Sequence, residues 1–578
     1  MQINDFNWKI GGPAGFGIMS SGEMLSKTVT RGGLFIYDYI EKPSLIRGGH
    51  NTYQVYVSAD PVRSQRKVVN LLVALNAETV TEHVDELVKG SAVIIDSAKM
   101  EVDSVKLERR GILVYDIPFN QIVRDVGGDE VMRNTVTLGA TMALIKFDFE
   151  RLVRVIKEQF EHKEQEIIDQ NIKAARAGYD YVTEHFHIDE FEFELQARES
   201  EPRMSLTAND AVAMGALSAG CKFYAAYPMT PASSILHTLA KVGPEYGMVV
   251  RHAEDEISVI NMVQGAASTG ARVMLATSGG GFALMIEGLS LAGITETPLV
   301  AVEVMRSGPA TGLPTWTEQG DLKFVISAGH GEFPKVVLTP GDAEEAFYLT
   351  KLAFNLADKI QSPVIILSDK YIGEDHISLP YFKPEKVGID RGKLLSDADT
   401  AELGDEYKRY EVTKDGASPR AVFGQPGPTI FINSDEHDEF GFSEESASNR
   451  IAQVEKRQRK LATVQKLLPA ARLYGPKKAP VTLVGWGSVK GPVLDALASP
   501  ALKKKVNFLH FSCVEPLPVN SEKMLREAKQ LVLVENNSLG QFADIIAAKT
   551  GIMIKKKILR FDGRPFYPSE LVKLYNKL

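Results

Sequence analysis

Short apolar runs separated by amphipathic stretches recur over most of the chain. In the first segment they fall at 8–10, 53–57, 69–73, 92–95 and 112–115, with a helix-like stretch at 18–29. Strand-length runs alternating with helical spacing predict an α/β domain, here with a largely parallel sheet. From about 184 to 203 the chain turns charged and loses its periodicity, as a linker does. The alternation resumes near Leu206. Runs at 223–227, 273–277, 299–302 and 364–367 read as buried strands, and 210–219 and 256–269 carry helical spacing with small residues for close packing. Between 377 and 453, glycine, proline and charge break the pattern into an irregular excursion. A basic helical stretch at 455–467 leads to a third α/β unit with strands at 481–484, 506–509 and 531–534. No short-period repeat supports a solenoid.

Composition narrows the function classes. A chain of 578 residues has room for roughly three to four cores, and 44% hydrophobic with 24% charged residues is ordinary globular usage. The net charge of −8 comes from mixed signs with no basic stripe, which argues against nucleic acid as a partner. No run of eighteen apolar residues predicts a membrane span, and the first residues lack the pattern of a signal peptide, so a cytoplasmic setting is expected. The two cysteines, Cys221 and Cys513, cannot by themselves hold a four-cysteine cluster. Any iron–sulfur centre would sit on another chain.

Candidate chemistry lies where apolar strands run into glycine, proline or charge. Gly11-Gly12-Pro13-Ala14-Gly15-Phe16-Gly17 is a glycine loop between a strand and a helix, with Asp38 about where a dinucleotide fold places its ribose acid. Its order, G-x-x-G-x-G, reverses the dinucleotide fingerprint, so a tight turn or another ligand loop is the competing reading. Arg47-Gly48-Gly49-His50 is a second turn. In the second domain, Tyr227-Pro228-Met229-Thr230-Pro231 ends a strand, and its prolines constrain the Thr230 hydroxyl; a rigid strand–helix connection explains it equally. Glu254, Asp255 and Glu256 precede a small-residue helix, where carboxylates complement the helix dipole. Glu256 heads the apolar run and is the one suited to acid–base work. Ser278-Gly279-Gly280-Gly281 brings backbone close to something, either phosphate or the edge of a heteroaromatic ring. Arg306 follows a strand, where a guanidinium can grip a carboxylate or simply face water. Asp435-Glu436-His437-Asp438-Glu439 combines metal-binding residue types, but without a second ligand pair it reads as a loop, and no metal site is assigned.

In this order the motifs resemble the 2-oxoacid:ferredoxin oxidoreductases, specifically an alpha subunit with a gamma-type domain fused at its N-terminus. The resemblance spans nearly the whole chain. It extends through Gly312-Leu313-Pro314-Thr315, Ser418-Pro419-Arg420, Glu436 to Gly441 and Glu535-Asn536-Asn537-Ser538-Leu539-Gly540-Gln541. It implies a multidomain α/β fold: a gamma-type domain over 1–195, a pyrimidine-binding domain of thiamine-diphosphate enzymes over 206–385, a connecting segment over 386–460, and a transketolase C-terminal-like domain over 461–578. It also implies a thiamine diphosphate site shared with a beta subunit that carries magnesium and a four-iron cluster, with coenzyme A as co-substrate and ferredoxin as electron acceptor, in an (alpha-beta)2 assembly. By the same resemblance Glu256 faces N1′ of the cofactor, with Glu254 as its competitor. Thr230 and Arg306 bind the substrate, and Tyr227, Pro228, Ser278, Gly279 and Gly280 line the cofactor. The stretch from Arg306 to Thr315 looks most like 2-oxoglutarate enzymes. Pyruvate or a broad range of 2-oxoacids is the alternative, and an NAD-linked dehydrogenase is the more distant one.

Overall fold

Strand Asp5–Pro13 is buried from residue 6 to residue 12, so both faces of its sheet are covered. It belongs to the first of two units in a computed structural model that describes residues 2–43, 49–404, 406–502 and 505–577. Arg47 and Gly48 of the second glycine turn lie outside the described residues.

The first unit comprises residues 1–206, 375–381 and 567–571. Its eight-stranded sheet runs, in spatial order, through 113–116, 87–95, 69–74, 5–13, 50–58, 35–41, 377–380 and 203–206. The first four are parallel and the rest pair antiparallel, so the sheet is mixed rather than largely parallel. The connection between Phe35–Glu41 and His50–Ser58 is too short for a crossover, which forces the second strand to return antiparallel. Strand Ile377–Pro380 comes from the start of the excursion yet completes this sheet. Helix Ile18–Arg31 follows the glycine loop. Gly17, with φ 73°, precedes it, and a Cβ there would lie 2.3 Å from Asn134 Nδ2, so both conformation and space require glycine.

The second unit comprises residues 207–374, 382–566 and 572–578. One sheet orders its strands as 249–252, 221–226, 272–277, 299–305, 363–369, 336–338 and 513–515, all parallel except the last. A five-stranded sheet is built on 481–486, 506–511, 531–535 and 556–559, with 472–474 antiparallel at its edge. Leu275, Ala301 and Ile365 share one core with Trp486, Phe511, Leu533 and Phe542, so the two sheets fold as a single unit. No helix among the described residues is long and apolar enough to cross a membrane.

The excursion is irregular but not loose, because charge anchors it. Glu296, fully buried, pairs with Lys456 at 2.7 Å and Lys460 at 2.6 Å from helix Ala447–Val464. Arg409 donates to the Glu296 carbonyl at 2.8 Å and to Gln361 Oε1 at 3.0 Å. Burial alone would raise the Glu296 carboxyl, but the lysines and Arg409 outweigh it and hold it below the usual carboxylate range. Glu296→Gln should therefore remove the counter-charge from two buried lysines whose ammonium forms burial already disfavours. It should lower stability by about 3–5 kcal/mol at neutral pH, read from the denaturant midpoint. Because the carboxyl is held low in the folded chain, the wild-type advantage should be present above about pH 4.3 and fade in acid.

Candidate active site

Four neighbouring parallel strands of the second unit end on one edge, and each delivers one of the candidate motifs there. Strand Cys221–Ala226 runs into the Tyr227–Pro231 turn, Val249–His252 into Glu254–Glu256, Arg272–Thr277 into Ser278–Gly281, and Leu299–Met305 into Arg306. The carboxyl edge of a parallel sheet is where such loops meet around a ligand.

The three acidic residues before helix Glu256–Ser268 have separate roles. Asp255 caps the helix by accepting from Ser258 N at 2.7 Å. Glu254 is exposed and accepts from the Ser258 hydroxyl at 2.6 Å. Glu256 is only 4% exposed, and its Oε1 has no hydrogen-bond partner among the described residues. It is buried because Gly281 has no side chain: a Cβ there would lie 2.5 Å from Glu256 Oε1 and 2.2 Å from Thr277 Oγ1. Gly279 is packed against Asp321, whose Oδ2 would lie 2.6 Å from an added Cβ, whereas Gly280 faces open space. Ser278 is fully buried with its hydroxyl unpartnered.

Thr230 and Arg306 are brought together. The Arg306 guanidinium donates to the Thr230 carbonyl at 2.8 Å. The turn is pinned from behind, where Asn209 donates to the Pro231 carbonyl and the Ser234 hydroxyl, each at 2.9 Å. Tyr227 is 39% exposed and Pro228 half-buried at the rim.

Sequence reasoning missed a set of carboxyls beside Arg306. Glu303 sits within the strand that delivers Arg306. It is fully buried, and neither carboxyl oxygen has a hydrogen-bond partner among the described residues. Burial, reinforced by Asp321 and Asp369, pushes its carboxyl well up. Burial also raises Asp321 to about 6, against the pull of Arg306. Asp369 is raised to about 6 by burial despite hydrogen bonds from Ser488 and from backbone N–H groups. Burial lowers the Arg306 guanidinium, and Glu303 and Asp321 counter that. The available signal was a glutamate in the middle of the run Leu-Val-Ala-Val-Glu-Val-Met.

The segment carrying Asp321 is held by the five-stranded sheet through Gln319. Its Nε2 donates to the Trp486 carbonyl at 2.9 Å, and its Oε1 accepts from Asn536 N at 2.9 Å. Asn537 and Gln541 donate to the carbonyls of Gln319 and Gly320 at 2.8 and 2.6 Å. The Glu535 to Gln541 motif is thus a clamp on the active-site strap.

Two other candidates are used structurally. Asp38, in the first unit, is fully buried and accepts from the Tyr53 hydroxyl and His376 N, so it is not a free ribose-binding acid. Glu436 pairs with Arg450 and Arg457, Glu439 with Lys408, and His437 packs on Tyr410 at 3.9 Å between ring centroids. No group of three His, Cys, Asp or Glu that could hold a metal occurs among the described residues.

Comparison with known proteins gives a consistent picture. Residues 214–456 match the family model described as pyruvate flavodoxin/ferredoxin oxidoreductase, thiamine diphosphate-binding, and residues 7–181 match pyruvate ferredoxin/flavodoxin oxidoreductase. The 2-oxoacid:ferredoxin oxidoreductase subunit alpha of Saccharolobus solfataricus is 33% identical, with 98% of this chain and 96% of that protein covered. The 2-oxoglutarate synthase subunit KorA of Archaeoglobus fulgidus is 46% identical over 33% of this chain and 56% of that protein. Among solved structures, the 2-oxoglutarate:ferredoxin oxidoreductase of Magnetococcus marinus, with 2-oxoglutarate, coenzyme A and succinyl-CoA bound, is 32% identical. The match covers 99% of both chains with a TM-score of 0.91.

Two adjacent glycines should respond with opposite signs. Gly281→Ala forces atoms against Thr277 and Glu256 and should cost roughly 1–3 kcal/mol of stability. Gly280→Ala meets nothing and should gain up to about 1 kcal/mol. Parallel thermal melts check both. The pH dependence gives a separate test at Glu303, whose raised carboxyl favours folding below its unfolded value and loses that contribution as pH rises towards its folded value. Glu303→Gln should therefore melt progressively higher than wild type as pH is raised from about 5 to 8.

Proposed function

This chain belongs to the 2-oxoacid:ferredoxin oxidoreductases as an alpha subunit, and from that premise we propose the reaction it performs and the residues that carry it. With a beta partner it catalyses coenzyme A-dependent oxidative decarboxylation of a 2-oxoacid, 2-oxoglutarate to succinyl-CoA, with electrons passed singly to ferredoxin. The observation that carries the site reading is the unpartnered Oε1 of buried Glu256, enclosed by Gly281 and Thr277. A buried acceptor with no protein donor suits a ring nitrogen that carries a proton.

Thiamine diphosphate, when bound, supplies the nucleophilic carbon that adds to the 2-oxo carbon and accepts the charge left by departing CO2. Glu256 holds a proton at N1′ of its pyrimidine, and its exposed neighbour Glu254, committed to Ser258, does not. Tyr227, Pro228, Ser278, Gly279 and Gly280 border the same space. Arg306 pairs with the substrate carboxylate, and the Thr230 hydroxyl donates to the 2-oxo oxygen. Glu303 and Asp321 offset part of the desolvation of the half-buried Arg306 guanidinium.

The beta partner binds the diphosphate through magnesium and carries the four-iron cluster, in a cytoplasmic (alpha-beta)2 complex. Coenzyme A contacts belong, by the family resemblance, to the N-terminal unit. The 2-oxoglutarate assignment follows the resemblance of the Arg306 to Thr315 stretch and the relatives named for 2-oxoglutarate; pyruvate is the alternative named by both matching family models.

The test is reconstitution. The isolated chain with 2-oxoglutarate, coenzyme A and a viologen dye should give no reduction, and adding its beta subunit should restore it. Glu256→Ala in the complex should lower turnover on the order of 100-fold or more. Turnover by the lone chain, or a co-purified complex devoid of thiamine diphosphate, would overturn the reading.

A further inference from the structure

The loop that begins at Arg306 is exposed from residue 308 to residue 313, yet it carries the guanidinium assigned to the substrate. It is tight within itself. Leu313 N donates to the Ser307 carbonyl at 2.9 Å, Ser307 N to the Trp316 carbonyl at 3.2 Å, and the Ser307 hydroxyl to the Thr317 carbonyl at 3.0 Å. A Cβ at Gly312, whose φ is 52°, would lie 1.9 Å from the Ser307 carbonyl oxygen, so the backbone has closed as far as it can. Such a loop moves as one piece, and what holds its base sets the direction of Arg306.

A turn near the end of the chain holds that base. Thr317 N donates to the Gly563 carbonyl at 3.0 Å. Gly563, with φ 82°, packs so closely that a Cβ there would lie 3.1 Å from both Leu313 Cδ1 and Trp316 Cβ. The next residue, Arg564, lays its guanidinium over the Trp316 indole, 4.0 Å from the ring centroid. Its neighbour Asp562 pairs its carboxylate with Arg560 at 2.8 Å and accepts the Arg564 backbone N–H at 3.1 Å. The Arg564 guanidinium donates to the Asp562 carbonyl at 2.9 Å, which aims it at the ring.

We propose that Arg564 is a positioning residue of the 2-oxoacid site: stacked on Trp316, it fixes the base of the Arg306 loop and so sets the affinity for the substrate carboxylate without touching it. The inference rests on the function proposed above for Arg306. The path between the two arginines is short, because the Trp316 carbonyl is bonded to Ser307, the residue that follows Arg306. Trp316 and Arg564 are both half-buried, where a cation over a ring is worth more than in open water. A guanidinium grips a carboxylate through two parallel hydrogen bonds, so a tilt of the loop weakens that grip. A contact made with the substrate before it reacts is read in KM, not in kcat.

The complex with the beta subunit carries the test, with Arg564→Ala and Arg564→Lys set against wild type on the 2-oxoacid that it turns over. In Arg564→Ala the KM for that 2-oxoacid should rise on the order of 5- to 10-fold, with kcat and the KM for coenzyme A within about twofold. Arg564→Lys should recover part of the loss, because an ammonium group still meets the ring face but without the flat fork. Fluorescence reads the stack directly. Of the three tryptophans, Trp8 and Trp486 are fully buried, so acrylamide reaches Trp316. Quenching of the chain alone should increase in Arg564→Ala. Unchanged quenching would overturn the proposal, as would increased quenching with a wild-type KM for the 2-oxoacid. Equal rises in both KM values would also overturn it, because Arg564 would then support the fold in general. Should Arg564→Ala fail to assemble, Arg564→Lys decides alone: a rise of about twofold or more confined to the 2-oxoacid KM is expected, and none would sink the idea. A wild-type complex that turns over no 2-oxoacid would instead defeat the functional reading.

Discussion

The site depends on how closely helix Gly279–Leu284 can start beside the carboxyl of Glu256. Parallel pairing brings the two elements to the same edge, but only the missing side chain at Gly281 lets them touch. With a methyl group there, Glu256 Oε1 and Thr277 Oγ1 would both be overlapped. That contact withdraws Glu256 from water while leaving one of its oxygens without a partner. Gly279 then admits Asp321 on the other side of the helix start. Asp321 follows the strap held by Gln319, so a single tight approach is tied to the five-stranded sheet through successive contacts.

Much of this was legible in the sequence because continuous apolar runs mark buried parallel strands well. The run expected at 273–277 is strand Arg272–Thr277, and that at 364–367 is Pro363–Asp369. Helical spacing favoured Glu256 but left Glu254 as its competitor; the structure buries Glu256 at the helix start and leaves Glu254 in solvent. Strand direction was not legible. Whether a run such as 53–57 pairs up or down depends on the connection preceding it, and an apolar pattern carries no direction. Nor could local pattern show that Ile377–Pro380 completes a sheet begun more than 300 residues earlier. The Gln319 clamp was hidden for the same reason. Its partner Asn536 is 217 residues away, and nothing near glutamine signals a buried amide partnered at both Nε2 and Oε1.

Glu303 poses a different problem, since a buried carboxyl with no hydrogen bond costs stability wherever it sits. Its position gives the cost a use. Beside Asp321 and Asp369 it favours the protonated form, so the three carboxyls together carry less negative charge than their number suggests. Fully ionised, Glu303 and Asp321 would compete with any anionic ligand for Arg306. Apolar residues in their place would leave a half-buried guanidinium to bear its desolvation alone. A partly protonated set sits between these extremes, sustaining the cation without saturating it.

The same logic explains why Arg306 already donates to the Thr230 carbonyl. A guanidinium has five N–H donors in a rigid fork, and using one on the backbone leaves others to meet a carboxylate side-on. The hydrogen bond fixes the direction of the fork, and Asn209 fixes the turn that fixes the carbonyl. The candidate substrate groups are therefore held by a chain of polar contacts that ends in the buried body of the domain, not by the surface loops in which they appear. Such positioning lowers the cost of ordering the site when a ligand arrives, which is how a loop residue can act with the geometry of a strand.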